Sequence, residues 1–156
     1  MSDPSFKINE IEGNLFSCPS SSSLGHCVSS DFKMGKGIAV KFRQMFGQVE
    51  EMKRQKPGVG EVVVLEDGDR FVYNLVTKNR YFNKPTYDTL KSALLAMRAH
   101  MIENSVKFLC LPKIGCGLDR LKWYEVKKLL QEIFKHDDID ICIYSLEENP
   151  IKFVLR

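Results

Sequence analysis

Apolar residues recur along this chain at two spacings. Short runs at 7–11, 25–29, 61–65, 71–77, 108–111 and 139–144 are rich in β-branched or aromatic residues and are flanked by Gly, Asp, Asn or Pro. They predict six strands, with Asp67-Gly68-Asp69 as a hairpin-type turn between the third and fourth. The helical spacing appears three times: Ile38, Phe42, Met45, Phe46 and Val49; then Tyr87, Leu90, Leu94, Met97 and Met101; then Val126, Leu129, Leu130, Ile133 and Phe134. Each set gives one apolar stripe opposite a charged face. Strands alternating with helices predict an α/β domain with a mixed sheet covered on both faces. At 156 residues the chain suits one domain with a full core. In such sheets ligands bind beyond the carboxyl ends of the strands.

Composition narrows the class. The chain is 44% hydrophobic and 28% charged, and its apolar runs fall well short of the roughly 20 residues that span a bilayer. The first residues lack the apolar core of a signal peptide, so an intracellular protein of nucleus or cytoplasm is expected, with no membrane partner. Lysine and arginine total 23 against 20 acids, a net charge of +3, which is too small to argue direct nucleic-acid binding. Five cysteines without Cys-x-x-Cys spacing read as reduced thiols rather than a disulfide framework or zinc site. His26, His100 and His136 show no metal-ligand spacing, so neither a metal nor a cofactor is expected.

Two segments carry candidate chemistry. Residues 111–123 run from an apolar strand into Gly115-Cys116-Gly117 and then an amphipathic helix, with Asp119 just past the glycines. Upstream, Gly35-Lys36-Gly37 precedes another helix start. Glycines before a helix N-terminus let phosphate approach unpaired backbone N–H groups, so two such loops suggest a diphosphate held between them. A structural turn is the alternative for either loop. A P-loop, a Gly-x-Gly-x-x-Gly dinucleotide motif and a Gly-x-Ser-x-Gly elbow are all absent from the sequence. Lys78 closes the fourth strand. It is either a solvated cation or, if partly buried, an amine nucleophile. Asp119 is either an acid/base group or a cap for the helix that follows.

Gly13-Asn-Leu-Phe16, His26-Cys-Val-Ser29, Met34-Gly-Lys-Gly-Ile-Ala-Val40, Leu75-Val-Thr-Lys78, Lys84-Pro-Thr-Tyr87, Pro112-Lys-Ile-Gly-Cys-Gly-Leu-Asp-Arg-Leu-Lys-Trp123 and Ile143-Tyr-Ser-Leu146 occur in this order. Together they resemble the macrodomain family, and within it the terminal ADP-ribose protein glycohydrolase subgroup, also known as O-acetyl-ADP-ribose deacetylase. The likeness runs from about residue 7 to 146. It implies a three-layer α/β/α macrodomain, a single domain over 1–156, with about six strands in a central mixed sheet. Residues 1–6 would stand before the fold, and 147–156 would form a C-terminal extension at the adenosine end.

The resemblance also implies the ligand and the chemistry. ADP-ribose would lie between Gly35, Gly37, Ile38, Ala39 and Val40 on one side and Lys113, Ile114, Gly115, Cys116, Gly117 and Leu118 on the other. Asn14, Leu15 and Leu146 would lie near the adenosine, and Ser29 near the distal ribose. Lys78 would be the nucleophile and Asp119 the acid/base, acting on ADP-ribose esterified to protein glutamate or aspartate, and on O-acyl-ADP-ribose. A binding module that reads ADP-ribose without turnover is the alternative; a reader needs neither Lys78 nor Asp119. Implied partners are ADP-ribose and ADP-ribosylated proteins, with poly(ADP-ribose) a further candidate, and the protein is expected to be a monomer. Two positions depart from the family pattern: Asn14 stands where an acidic residue is usual, and Lys36 replaces a small residue.

Overall fold

A computed structural model describes residues 6–146, so the proposed 147–156 extension and residues 1–5 lie outside the described residues. Six strands form one sheet: β1 (Lys7–Glu12), β2 (Ser23–Ser29), β3 (Val62–Asp67), β4 (Arg70–Lys78), β5 (Phe108–Leu111) and β6 (Asp140–Ser145). Their order is β1-β6-β5-β2-β4-β3. Five strands run parallel, and β3 alone is antiparallel, paired with β4 through the turn anticipated at Asp67-Gly68-Asp69.

Four helices cover the sheet among the described residues: α1 (Ile38–Phe46), α2 (Val49–Arg54), α3 (Tyr87–Glu103) and α4 (Trp123–Phe134). The period-2 alternation of β4 shows how one strand serves two cores. Tyr73 and Leu75 pack with Leu90, Leu94 and Met97 of α3 and with Leu130 of α4. Val72 and Val76 pack instead with Phe42 of α1 and Met52 of α2. The result is three layers, with α1 and α2 on one face and α3 and α4 on the other.

The stripe from Ile38 to Val49 suggested one helix, but it is two. Gly47 N–H closes α1 on Arg43 O at 2.9 Å, and Gly47 and Gln48 both take a φ of +60°. Left-handed residues cannot continue a right-handed helix. Phe46 and Val49 still pack on the same core across the break. Met45 and Ile38, predicted to lie in the stripe, are 44% and 36% exposed, because Phe42 is the fully buried contact of α1.

Because β1, β6, β5, β2 and β4 are parallel, the loops that follow them gather at one edge of the sheet. The chain leaves β2 toward the α1 face and leaves the adjacent β5 toward the α4 face. In open α/β sheets the crevice that takes a ligand lies between loops that diverge in this way, and both glycine segments flank that position.

Candidate functional site

Lys78 is the last residue of β4, after Val72 to Thr77, all of which are buried. Its Nζ donates to Asp119 Oδ1 at 2.6 Å, and the two side chains are 14% and 16% exposed. Lys78 is therefore no freely solvated cation. Asp119 does not cap α4 either: the N-cap is Lys122, with no side-chain hydrogen bond to the first turn. A register shift between Val28 and Ser29 skips one residue of β4 and sets Ser29 level with Lys78, the kind of local bulge that re-aims side chains beside a site.

The loop that carries Asp119 is folded tightly on itself. Ile114 anchors it in the core at 2% exposure. Leu121 N–H donates to Gly115 O at 2.7 Å. Gly115 has a φ of +73°, which favours glycine, and a Cβ there would lie 2.9 Å from Leu121 Cδ1, so a side chain would have to displace that methyl. Cys116 Sγ donates to Ile114 O at 3.3 Å. Two further bonds hold this loop from outside: Lys84 Nζ donates to Leu118 O at 3.1 Å, and Lys122 N–H donates to Tyr87 Oη at 3.0 Å.

The opposite wall is organised by Asp31, a residue the sequence reading passed over. Its carboxylate accepts from Ser29 Oγ at 2.5 Å, Lys33 N–H at 3.1 Å and Tyr81 N–H at 2.9 Å. Burial pushes its pKa upward, but these three hydrogen bonds and the nearby Arg80 charge outweigh burial and hold it below the usual carboxylate value. Ser30 Oγ adds a tie to Asn79 O at 2.8 Å. The loops after β2 and β4 are thus tied to each other. An acidic residue two positions past a strand, able to accept backbone N–H groups locally, was the available signal.

α1 starts at Gly37, at a φ of +62° and with no side-chain cap; Val40 N–H donates to Gly37 O at 3.2 Å, and the N–H groups of Ile38 and Ala39 are left open to a ligand. A Cβ on Gly37 would stand 3.5 Å from Leu118 Cδ1, so the two glycine loops meet at the mouth of the crevice. Gly35, Lys36 and Gly117 are exposed, as is Lys113, while Ala39 and Val40 are half-buried.

The residues assigned to the adenosine end fall at the β1–β6 side of the same edge. Asn14 caps a short 3-10 turn, its Oδ1 accepting from Phe16 N–H at 3.0 Å. Leu15 turns into the core at 4% exposure, whereas Leu146 is 79% exposed. Their separation from Lys78 follows from the strand order: β6 and β4 stand three strand spacings apart, roughly 14 Å.

Electrostatics separates the candidate nucleophiles. Burial pushes the Cys27 thiol up to about 12, reinforced by the Asp119 charge, and burial pushes Cys116 up to about 11 against the pull of Lys113. Both stay protonated at neutral pH and are poor nucleophiles there. All five cysteines are free thiols. Among the described residues, no group of three His, Cys, Asp or Glu side chains could hold a metal ion, and no helix is long and apolar enough to cross a membrane.

The chain is 46% identical over 140 residues to human ADP-ribose glycohydrolase OARD1, covering 90% of this chain and 92% of that protein. It is 27% identical to a DNA ADP-ribosyl glycohydrolase of Thermus aquaticus, over 90% of this chain and 41% of that longer protein. Among solved structures, the macrodomain of Thermus aquaticus DarG superposes with a TM-score of 0.80 at 24% identity, covering 90% of this chain and 99% of that one. Thermosipho africanus DarTG in complex with ADP-ribose gives 0.77 at 23% identity, over 96% of this chain and 46% of that one. Residues 26–130, from the middle of β2 to within α4, match the Macro domain, and with the six-stranded three-layer architecture this makes the chain a member of the macrodomain family.

Proposed function

We propose that this macrodomain is an ADP-ribosyl hydrolase that releases ADP-ribose from glutamate or aspartate esters, with Lys78 as nucleophile and Asp119 as acid/base. The observation that carries the reading is the part-buried Lys78–Asp119 pair at 2.6 Å, set at the end of the crevice. A module that only bound ADP-ribose would gain nothing from sequestering this amine and carboxylate together. The 46% identity to an ADP-ribose glycohydrolase supports the same reading.

The ligand follows the edge of the sheet. Adenosine lies near Asn14, Leu15 and Leu146, the diphosphate meets the open N-terminus of α1 between the glycine loops, and the distal ribose reaches Ser29 and Lys78. Bound substrate excludes water from the pair. Desolvation favours neutral over charged partners, so the proton shared along the 2.6 Å hydrogen bond passes from Nζ to Asp119. The neutral amine attacks the anomeric carbon of the distal ribose. The bond from that carbon to the ester oxygen breaks, and the target carboxylate leaves with the electron pair. The attacking nitrogen gives a proton to the departing carboxylate, the sugar ring opens, and a protonated imine links Lys78 to the ribose carbon. Asp119 delivers a proton to the opening ring oxygen and then activates the water that adds to the imine. Collapse of that adduct frees the amine and ADP-ribose. The same steps cleave O-acyl-ADP-ribose carrying its acyl group on the anomeric oxygen.

Intact-mass analysis tests the assignment. Asp119→Ala incubated with ADP-ribose should accumulate an adduct of one ADP-ribose less one water, mapped to Lys78 by peptide fragmentation. Tight binding without an adduct, and without release from modified protein by the wild type, would leave the reader reading standing instead.

A further inference from the structure

Beyond Lys78 the chain reads Lys78-Asn-Arg-Tyr-Phe-Asn-Lys84, with two adjacent aromatics set among cations. Tyr81 and Phe82 are 50% and 67% exposed, although burying rings of that size would stabilise the fold. They are also held in place. Tyr81 N–H donates to Asp31, Arg80 N–H donates to Asn83 Oδ1 at 2.9 Å, and Asn83 N–H returns to Arg80 O at 2.9 Å. Lys33 Nζ stands 5.4 Å from the Tyr81 ring centroid. A solvent-facing aromatic pair on a hydrogen-bonded loop, joined to the site by Asp31, is suited to meet something outside the fold.

Position says what it meets. Along the sheet the adenosine end is at β1 and β6, and the distal ribose is at β4. The β4–α3 loop therefore lies on the side from which the group esterified to the ribose departs. We propose that Tyr81 and Phe82, with Lys33 and Arg80, form the acceptor subsite: a platform for the polypeptide that flanks the modified carboxylate, selective for acidic stretches. This rests on the hydrolase reading above. Charge supports the acidic partner. The loops 29–37, 78–86 and 112–122 hold eight cations and only two acids, Asp31 and Asp119, both already engaged, while the whole chain has a net charge of only +3. The diphosphate offsets part of that excess, and an acidic peptide offsets more. Ring geometry favours peptide over nucleic acid: the two rings meet edge to face at 86°, which gives a notch for a side chain and backbone, not parallel faces for successive bases.

The experiment compares three substrates on the full chain: an ADP-ribosylated acidic peptide, O-acetyl-ADP-ribose, and an ADP-ribosylated single-stranded oligonucleotide. Tyr81→Ala/Phe82→Ala should lower kcat/KM for the peptide roughly tenfold, mainly through KM. It should leave O-acetyl-ADP-ribose turnover and free ADP-ribose affinity within about twofold. The exchanged pair Tyr81→Phe/Phe82→Tyr should retain peptide turnover. Equal losses on peptide and small ester would make the pair part of the ADP-ribose site. No loss on the peptide, or a loss confined to the oligonucleotide, would overturn the proposal. If the wild type releases nothing from any substrate, the hydrolase reading fails on its own. The subsite is then judged by binding: the ADP-ribosylated peptide should outbind free ADP-ribose on the wild type, and the Ala/Ala variant should erase that difference. No such advantage on the wild type would sink the subsite as well.

Discussion

Two polar pairs tie into β4 four residues apart, and they do opposite work. His26 of β2 and Asn74 of β4 meet at 2.7 Å with 0% and 1% exposure, under the ring of Phe42, which stacks on the imidazole at 3.6 Å. Asn74 Nδ2 donates to Val63 O and Val72 O, so its Oδ1 must accept from His26 Nε2–H, and Nδ1 is left buried without a partner. Lys78 and Asp119 meet at a similar distance but with part of each side chain open to the crevice. The first pair is neutral and sealed, a cross-strand fastener in the core. The second is charged and within reach of a ligand. The difference is position along the strand: mid-sheet residues are capped by a helix, and the carboxyl-terminal residue emerges where α1 and α4 diverge.

That contrast can be broken at either pair. The largest effect falls on Lys78→Ala, which should lower release of ADP-ribose by at least roughly 10³-fold while free ADP-ribose still binds, checked by single-turnover kinetics and calorimetry. Full activity in this variant would end the nucleophile assignment.

The sealed pair should respond to acid instead. Burial pushes the His26 pKa down to about 4, against the weaker upward pull of Asn74, from an ordinary value near 6.5. Between those values the unfolded chain binds the proton and the folded chain does not, so acid favours unfolding. The stability from this group is intact above about 6.5, falls as pH drops through the window, and levels off below about 4, a change on the order of 3 kcal/mol. Denaturant titrations at several pH values should show this slope in the wild type and a shallower one in His26→Gln.

Next in size, Asn74→Ala should cost roughly 2 kcal/mol by leaving His26 Nε2–H without an acceptor, while turnover per folded molecule stays within about twofold. Loss of turnover there would mean the two pairs are coupled. The smallest effect is expected for Gly115→Ala, at roughly 1–2 kcal/mol from the positive φ and the Leu121 contact. Because this glycine shapes the loop that carries Asp119, its kcat should fall more than thermal stability alone explains.

How far the sequence could be read varied with the range of the interaction. The strand runs and stripes such as Leu90, Leu94 and Met97 were legible, because burial on one face imposes a period that any window of the chain displays. The glycine loops were legible as loops, and the ordered motifs marked the family. The break at Gly47–Gln48 was hidden because the apolar spacing carries across it. Asn14 was assigned to adenosine by resemblance, and its local hydrogen bond to Phe16 N–H appears only once the 3-10 turn is built. Asp31 drew no notice because the partner that ties it to the site, Tyr81 N–H, comes from a loop 50 residues away.

The sequence by itself determined the alternation of elements, the α/β class, the position of both glycine segments at strand-to-helix turns, and Lys78 and Asp119 as candidates each with a bland alternative. Those are consequences of local backbone sterics and of hydrophobic periodicity, which act over a few residues. Only the tertiary structure decided between the alternatives. Lys78 and Asp119 are 41 residues apart, on β4 and after β5, and β2 lies between those strands in the sheet. Their meeting depends on a mixed sheet whose order reverses beside β2, and on a loop that the φ of Gly115 bends back on itself. Strand order and loop curvature come from burying all the apolar faces at once, and no single segment of the chain contains that information.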